Sequence, residues 1–153
     1  MIRFRTFSKA YGVAGARIGY GIGNKKLISE FDKIRNHFGN SLLSQVAAIA
    51  AIKDQRYLSE VVKKISLGRE EIYQIAQSNG LSAIPSATNF VAIDCGKDGK
   101  FANQIMNGLL EAKLFVRKPV VAPLDRTIRV TVGRDEEIDL LKNVLPNVLK
   151  ALR

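Results

Sequence analysis

Residues 6–19, T-F-S-K-A-Y-G-V-A-G-A-R-I-G, put Ser8 before Lys9 and Arg17 eight positions after it, with small residues filling most of the gap. A lysine that forms imines needs a neutral amine, which requires shielding or nearby positive charge. An aldehyde that also carries phosphate needs hydroxyl and guanidinium donors close to that lysine. Arginine suits phosphate because its planar fork takes two oxygens at once. Small residues let the backbone approach. The spacing fits Lys9 as the imine former and Ser8 and Arg17 as phosphate clamps. It equally fits an ordinary basic loop rich in glycine.

Other reactive-looking residues carry less. Gly19, Gly21 and Gly23 lie in G-Y-G-I-G-N-K, which lacks the last glycine of G-x-G-x-x-G and the G-K-[ST] of a P-loop. His37, the lone histidine, reads as solvent-facing. Cys95 ends an apolar stretch and reads as a small core or edge residue. One histidine and one cysteine make no transition-metal cluster.

The elements that must hold these residues are legible in the hydrophobic pattern. Residues 1–7 and 17–23 read as strands around the 8–16 loop. Asn24 caps a helix with Leu27, Ile28, Phe31, Ile34 and Phe38 on one face. Ser41 caps a second helix, apolar on several sides. A third runs from Gln55 to Asn79-Gly80, with Gly68 as its weak point. Beyond Gly80 come strands at 81–84, 89–94, 114–118 and 127–132, and helices at 101–112 and from Asp135. Ile128, Val130 and Val132 share one face of the last strand, and Arg129 and Thr131 the other. Pro146 is expected to kink or interrupt the final helix.

The 153 residues hold 24 Lys+Arg against 14 Asp+Glu, a formal charge of +10. A charge of this size raises nucleic-acid binding. The basic residues form no run of four, and no aromatic stacking signature accompanies them, so that partner is disfavoured. The longest wholly apolar run, Val46 to Ile52, is seven residues, far short of the ~20 that cross a bilayer. A single cysteine forms no internal disulfide and fits a reducing, cytoplasmic setting.

The 6–19 stretch resembles the pyridoxal-phosphate attachment site of class II aminotransferases, fold type I, through Thr6, Phe7, Ser8, Lys9, Ala10, Tyr11, Gly12 and Gly15. P-S-A-T-N-F at 85–90, F-V-R-K-P at 115–119 and T-I-R-V-T-V-G at 127–133 resemble the small domain of histidinol-phosphate aminotransferases. The resemblance implies an α/β fold: a remnant of the large, cofactor-binding domain over 1–52, then a bridging helix and a small α+β C-terminal domain over 53–153. It implies Lys9 as the pyridoxal 5'-phosphate lysine and proton shuttle, and Ser8, Arg17 and Thr6 as phosphate contacts. Arg129 would grip the substrate α-carboxylate, where the competing reading is a salt bridge to Asp125 or Asp135. Arg117 would serve the phosphate end of the substrate.

The implied reaction moves an amino group from histidinol phosphate to 2-oxoglutarate in histidine biosynthesis, in a cytoplasmic homodimer without metal or membrane. The alternatives are an aromatic or other amino-acid donor, or a non-catalytic module binding nucleic acid. The family places its lysine mid-chain, so residue 9 implies correspondence to the C-terminal two-fifths only. The family's pyridine-nitrogen Asp, ring-stacking aromatic and ring-oxygen Tyr have no counterpart here. The isolated chain is therefore expected to be inactive.

Overall fold

A computed structural model describes residues 1–152 and divides the chain into two units, Met1–Val62 and Lys63–Arg153. In the first unit β1 (Ile2–Thr6) pairs antiparallel with β2 (Gly19–Gly23), Ile2 opposite Gly23 and Thr6 opposite Gly19. A Cβ on Gly19 would lie 2.5 Å from the Arg5 carbonyl oxygen, so this pairing admits only glycine there. Asn24 caps α1 (Lys25–Glu30) by accepting from the Lys26 N–H, and Ser41 caps α2 (Leu42–Lys53) by accepting from the Ser44 N–H.

The helix expected to reach Phe38 stops at Glu30 and gives way to a 3-10 turn at Phe31–Lys33. Ile34 is 81% and Phe38 94% exposed, so burial does not reward further helix. The Asn36 side chain instead accepts from the Phe38 N–H at 3.0 Å, a local bond that competes with helical pairing.

The unit boundary falls inside α3 (Gln55–Ser78), which runs its full expected length. In the second unit β3 (Ser82–Ile84), β4 (Phe90–Asp94) and β5 (Thr127–Thr131) form an antiparallel sheet in that order. Helices α4 (Gly99–Glu111) and α5 (Asp135–Ala151) complete it. Asp98 caps α4 through the Phe101 N–H, and that bond holds its carboxyl below the usual range. Ile72, Ile93, Ile105, Leu109, Ile128 and Leu145 are fully buried together. Each contributes about 2 kcal/mol of burial free energy.

The strand expected at 114–118 does not form, and of the kink or interruption expected at Pro146 the interruption does not occur. The strand at 114–118 is a single bridge, Arg117 to Arg129. Leu114 is committed to closing α4, its N–H donating to the Leu109 carbonyl, and Pro119 has no N–H to extend a ladder. Helix α5 also continues through Pro146. Pro146 lies on the exposed face, where water can serve the carbonyl it leaves unpaired, while Leu145 and Leu149 anchor either side in the core.

Gly68 is a contact rather than a defect. A Cβ there would meet Val132 Cγ1 at 2.6 Å and Ile138 Cδ1 at 3.0 Å, and a β-branched valine cannot swing aside. Helix propensity favours Gly68→Ala by about 1 kcal/mol, but overpacking costs about 1–3 kcal/mol. The variant should lose about 1 kcal/mol net in urea unfolding; a gain would mean that the contact yields.

The first unit buries little. Leu42, Leu43, Val46 and Ile49 of α2 are each more than half exposed. A contiguous apolar stripe of this kind drives association. Light scattering should give a mass above the monomer, falling in Leu43→Glu/Val46→Glu. A monomeric wild-type chain at high concentration would refute this.

Candidate functional site

The 7–18 loop closes β1 onto β2. Its anchor is Phe7, 4% exposed, with ring centroids 4.8 Å from Tyr11 and 5.6 Å from Tyr20. The Phe7 N–H donates to the Ile18 carbonyl at 3.3 Å, extending the ladder by one bond beyond the strands. Ser8 and Arg17 are therefore the next residues along that register, at the mouth of the loop. Thr6 Oγ1 accepts from the Ser8 N–H at 3.1 Å, and its hydroxyl donates to Ser8 Oγ at 2.9 Å. That leaves the Ser8 proton free for an incoming anion.

Lys9 follows, exposed, with its carbonyl accepting from the Gly12 N–H at 2.9 Å. Arg17 sits in the left-handed region, φ 49° and ψ 46°, and its Nη1 donates to the Ala14 carbonyl at 2.9 Å. A non-glycine residue held there is strained, and such strain gathers at functional positions. Two hydroxyls, an exposed ammonium and a guanidinium on one short loop suit a phosphate-bearing aldehyde. The donor set has no use for a metal, and no metal-binding cluster exists among the described residues.

The second unit carries the other two arginines. Ile128 and Val130 enter the core, so alternation turns Arg129 to the outer face of the sheet. The Arg129 N–H donates to the Arg117 carbonyl at 2.6 Å, and the Arg117 N–H donates to the Arg129 carbonyl at 3.2 Å. Residues bridged in this way project to the same side. The two arginines are thus held opposite one another by their backbones. Among the described residues neither arginine forms an ion pair, with Asp125, Asp135 or any other carboxylate. Arg126 by contrast meets Asp94 at 2.9 Å and is a structural pair. The Arg129 guanidinium lies 4.8 Å from the centre of the Phe90 ring.

Sequence reasoning does not reach Phe90, because the contact depends on the β4–β5 register. The available signal is an aromatic residue on the solvent-facing half of F-V-A-I-D.

The family model for class I and II aminotransferases matches residues 1–145. The chain belongs to that family. It is 40% identical over 146 residues to the histidinol-phosphate aminotransferase of Geobacillus sp. (strain WCH70), covering 95% of this chain and 39% of the relative. The enzyme of the same name from Bacillus subtilis (strain 168) is 37% identical over 145 residues, with the same coverage. The crystal structure of histidinol-phosphate aminotransferase from Sinorhizobium meliloti, in complex with pyridoxal-5'-phosphate, superposes with a TM-score of 0.95 at 53% identity. That match covers 99% of this chain and 42% of that one. The chain thus spans about two-fifths of the relatives it matches. The fold is that of fold type I aminotransferases, and no helix among the described residues is long and apolar enough to cross a membrane.

Cys95 and His37 have the surroundings that the sequence suggests, buried and exposed respectively. His37 is exposed. Burial pushes the Cys95 thiol from 9.0 up to about 11, so it is a poor nucleophile. The raised value means that the fold prefers the protonated thiol. Its contribution is complete below 9.0 and lost as pH rises toward about 11. Stability should therefore fall more steeply over that window in the wild type than in Cys95→Ala. Identical slopes in urea melts would contradict the burial argument.

Proposed function

We propose that this chain is the lysine- and arginine-bearing part of a pyridoxal 5'-phosphate-dependent aminotransferase acting on histidinol phosphate and 2-oxoglutarate, giving imidazole acetol phosphate and glutamate. The observation that carries the substrate choice is the Arg117–Arg129 backbone bridge, which sets opposite one another two arginines that form no ion pair among the described residues. Histidinol phosphate carries its one anionic group, a phosphate ester, on the methylene that takes the place of the carboxylate carbon of an amino acid. A dianionic phosphate suits two adjacent arginines, and the glutamate α-carboxylate can use the same pair in the return half-reaction. The resemblance alone gives Arg129 to a carboxylate and Arg117 to a phosphate; the bridge favours one shared anion.

When bound, pyridoxal phosphate supplies an electron sink for the pair left at the substrate α-carbon. The chain supplies the rest. Ser8, Thr6 and Arg17 would hold the cofactor phosphate. The Lys9 ε-amino group would anchor its aldehyde and, once displaced by substrate, take the proton from the substrate α-carbon. Histidine biosynthesis, a cytoplasmic setting and a homodimer belong to the same reading; the names of the relatives support the first of these.

The test is a chimaera in which this chain replaces the matching stretch of the Sinorhizobium meliloti enzyme. It should bind pyridoxal phosphate with an imine absorbance band that vanishes in Lys9→Ala. It should turn over histidinol phosphate in preference to phenylalanine. Arg129→Ala should lower kcat/KM for histidinol phosphate at least about 10-fold, the value of one hydrogen-bonded charged partner. A strong preference for phenylalanine would refute the substrate assignment, and a band that survives Lys9→Ala would refute the role of the lysine.

A further inference from the structure

We propose that Phe90 is a positioning residue that fixes the Arg129 guanidinium for anion capture without neutralising it. The inference rests on the anion-binding reading of Arg129 and names what prepares that side chain. Ala92 stands directly opposite Arg129 in the β4–β5 register, and Phe90 stands opposite Thr131. The methyl group of Ala92 leaves room for the arginine to lie along the sheet to the diagonal neighbour. There the guanidinium reaches the Phe90 ring at 4.8 Å.

The choice of partner matters. Arg126, in the 3-10 turn just before β5, is held by the Asp94 carboxylate, which pairs its charge and takes its Nε–H at 2.9 Å. A ring face attracts the cation through its quadrupole and accepts no strong hydrogen bond. Arg129 therefore keeps its charge and the N–H edge that forks onto a carboxylate or phosphate.

Phe90 is itself held. Ser86 Oγ donates to the Phe90 carbonyl at 2.6 Å, and the Ser86 N–H donates to Tyr73 Oη at 2.7 Å. Arg69 Nη1 donates to the Thr88 carbonyl at 2.9 Å. These bonds tie the 85–90 turn to α3, so the ring is presented from a fixed support.

The experiment follows phenylglyoxal modification of each arginine in the full 153-residue chain by peptide mass spectrometry, with and without inorganic phosphate. In Phe90→Leu, Arg129 should react about 3-fold faster and phosphate should protect it about 3-fold less well, the scale of one partly exposed cation–π contact. Phe90→Tyr should restore both values. Arg126 should be unchanged in each variant. An unchanged Arg129 rate in Phe90→Leu overturns the proposal. So does a parallel rise at Arg126, which would mark general loosening of the sheet, or a failure of Phe90→Tyr to restore the rate. If phosphate does not protect Arg129 in the wild type, the anion-binding reading fails. The phosphate-free rates still decide whether Phe90 holds the guanidinium.

Discussion

Antiparallel pairing of β4 with β5 carries the organisation of the second unit, because its register decides which face each residue meets. Phe90 pairs with Thr131, Ala92 with Arg129 and Asp94 with Thr127. With side chains alternating every residue, this register sends Val91, Ile93, Ile128 and Val130 into the core. The same pairing leaves Phe90, Ala92 and Arg129 together outside. A slip of one residue would bury Arg129 and expose Ile128. The core therefore secures the site: the burial energy of the inner face fixes which side chains can meet on the outer one.

The first unit follows a different logic. Phe7 and Ala48 are its only buried hydrophobics among the described residues, and the α2 stripe lies open. Its order comes from hydrogen bonds and close backbone approach: the β1–β2 ladder, the Phe7–Ile18 bond, and glycine at position 19. A loop built in this way can hold Ser8, Lys9 and Arg17 by backbone geometry with few packed side chains nearby. The positive φ of Arg17 is consistent with that, since the backbone imposes a conformation that the side chain does not favour.

Local signals in the sequence proved dependable. The caps at Asn24 and Ser41 and the long α3 follow from bonds within a few residues, and the outward Arg129 follows from alternation within one strand. Where the outcome depended on distant partners, the pattern misled. The apolar spacing over Leu27–Phe38 signals a helix face, but Ile34 and Phe38 find nothing to bury against. The apolar run before Pro119 signals a strand, yet Leu114 closes α4 and only Arg117 pairs. Gly68 reads as a helix defect until Val132 and Ile138 are seen against it. In the candidate site, the composition of the Lys9 loop was legible because its donors are close in sequence. The Arg117–Arg129 adjacency and the Phe90 contact were not, because they join residues 12 and 39 positions apart through a register that no single strand encodes.

The paired arginines also explain why this face of the sheet is built from weak interactions. Like charges held opposite one another on a ladder destabilise it, and a carboxylate between them would remove that cost. It would also occupy the donors that the proposed anion binding needs. An aromatic face resolves the conflict, attracting one cation while leaving its in-plane N–H groups unused. The Arg129 guanidinium rests on the Phe90 side of β5, across the strand from the Arg117 bridge, so under the proposed reading its charge stays unpaired until an anion binds. Unpaired charge on the outer face, which the proposed anion binding requires, costs the free sheet stability, and the inner-face core of Val91, Ile93, Ile128 and Val130 is what lets the fold tolerate that cost.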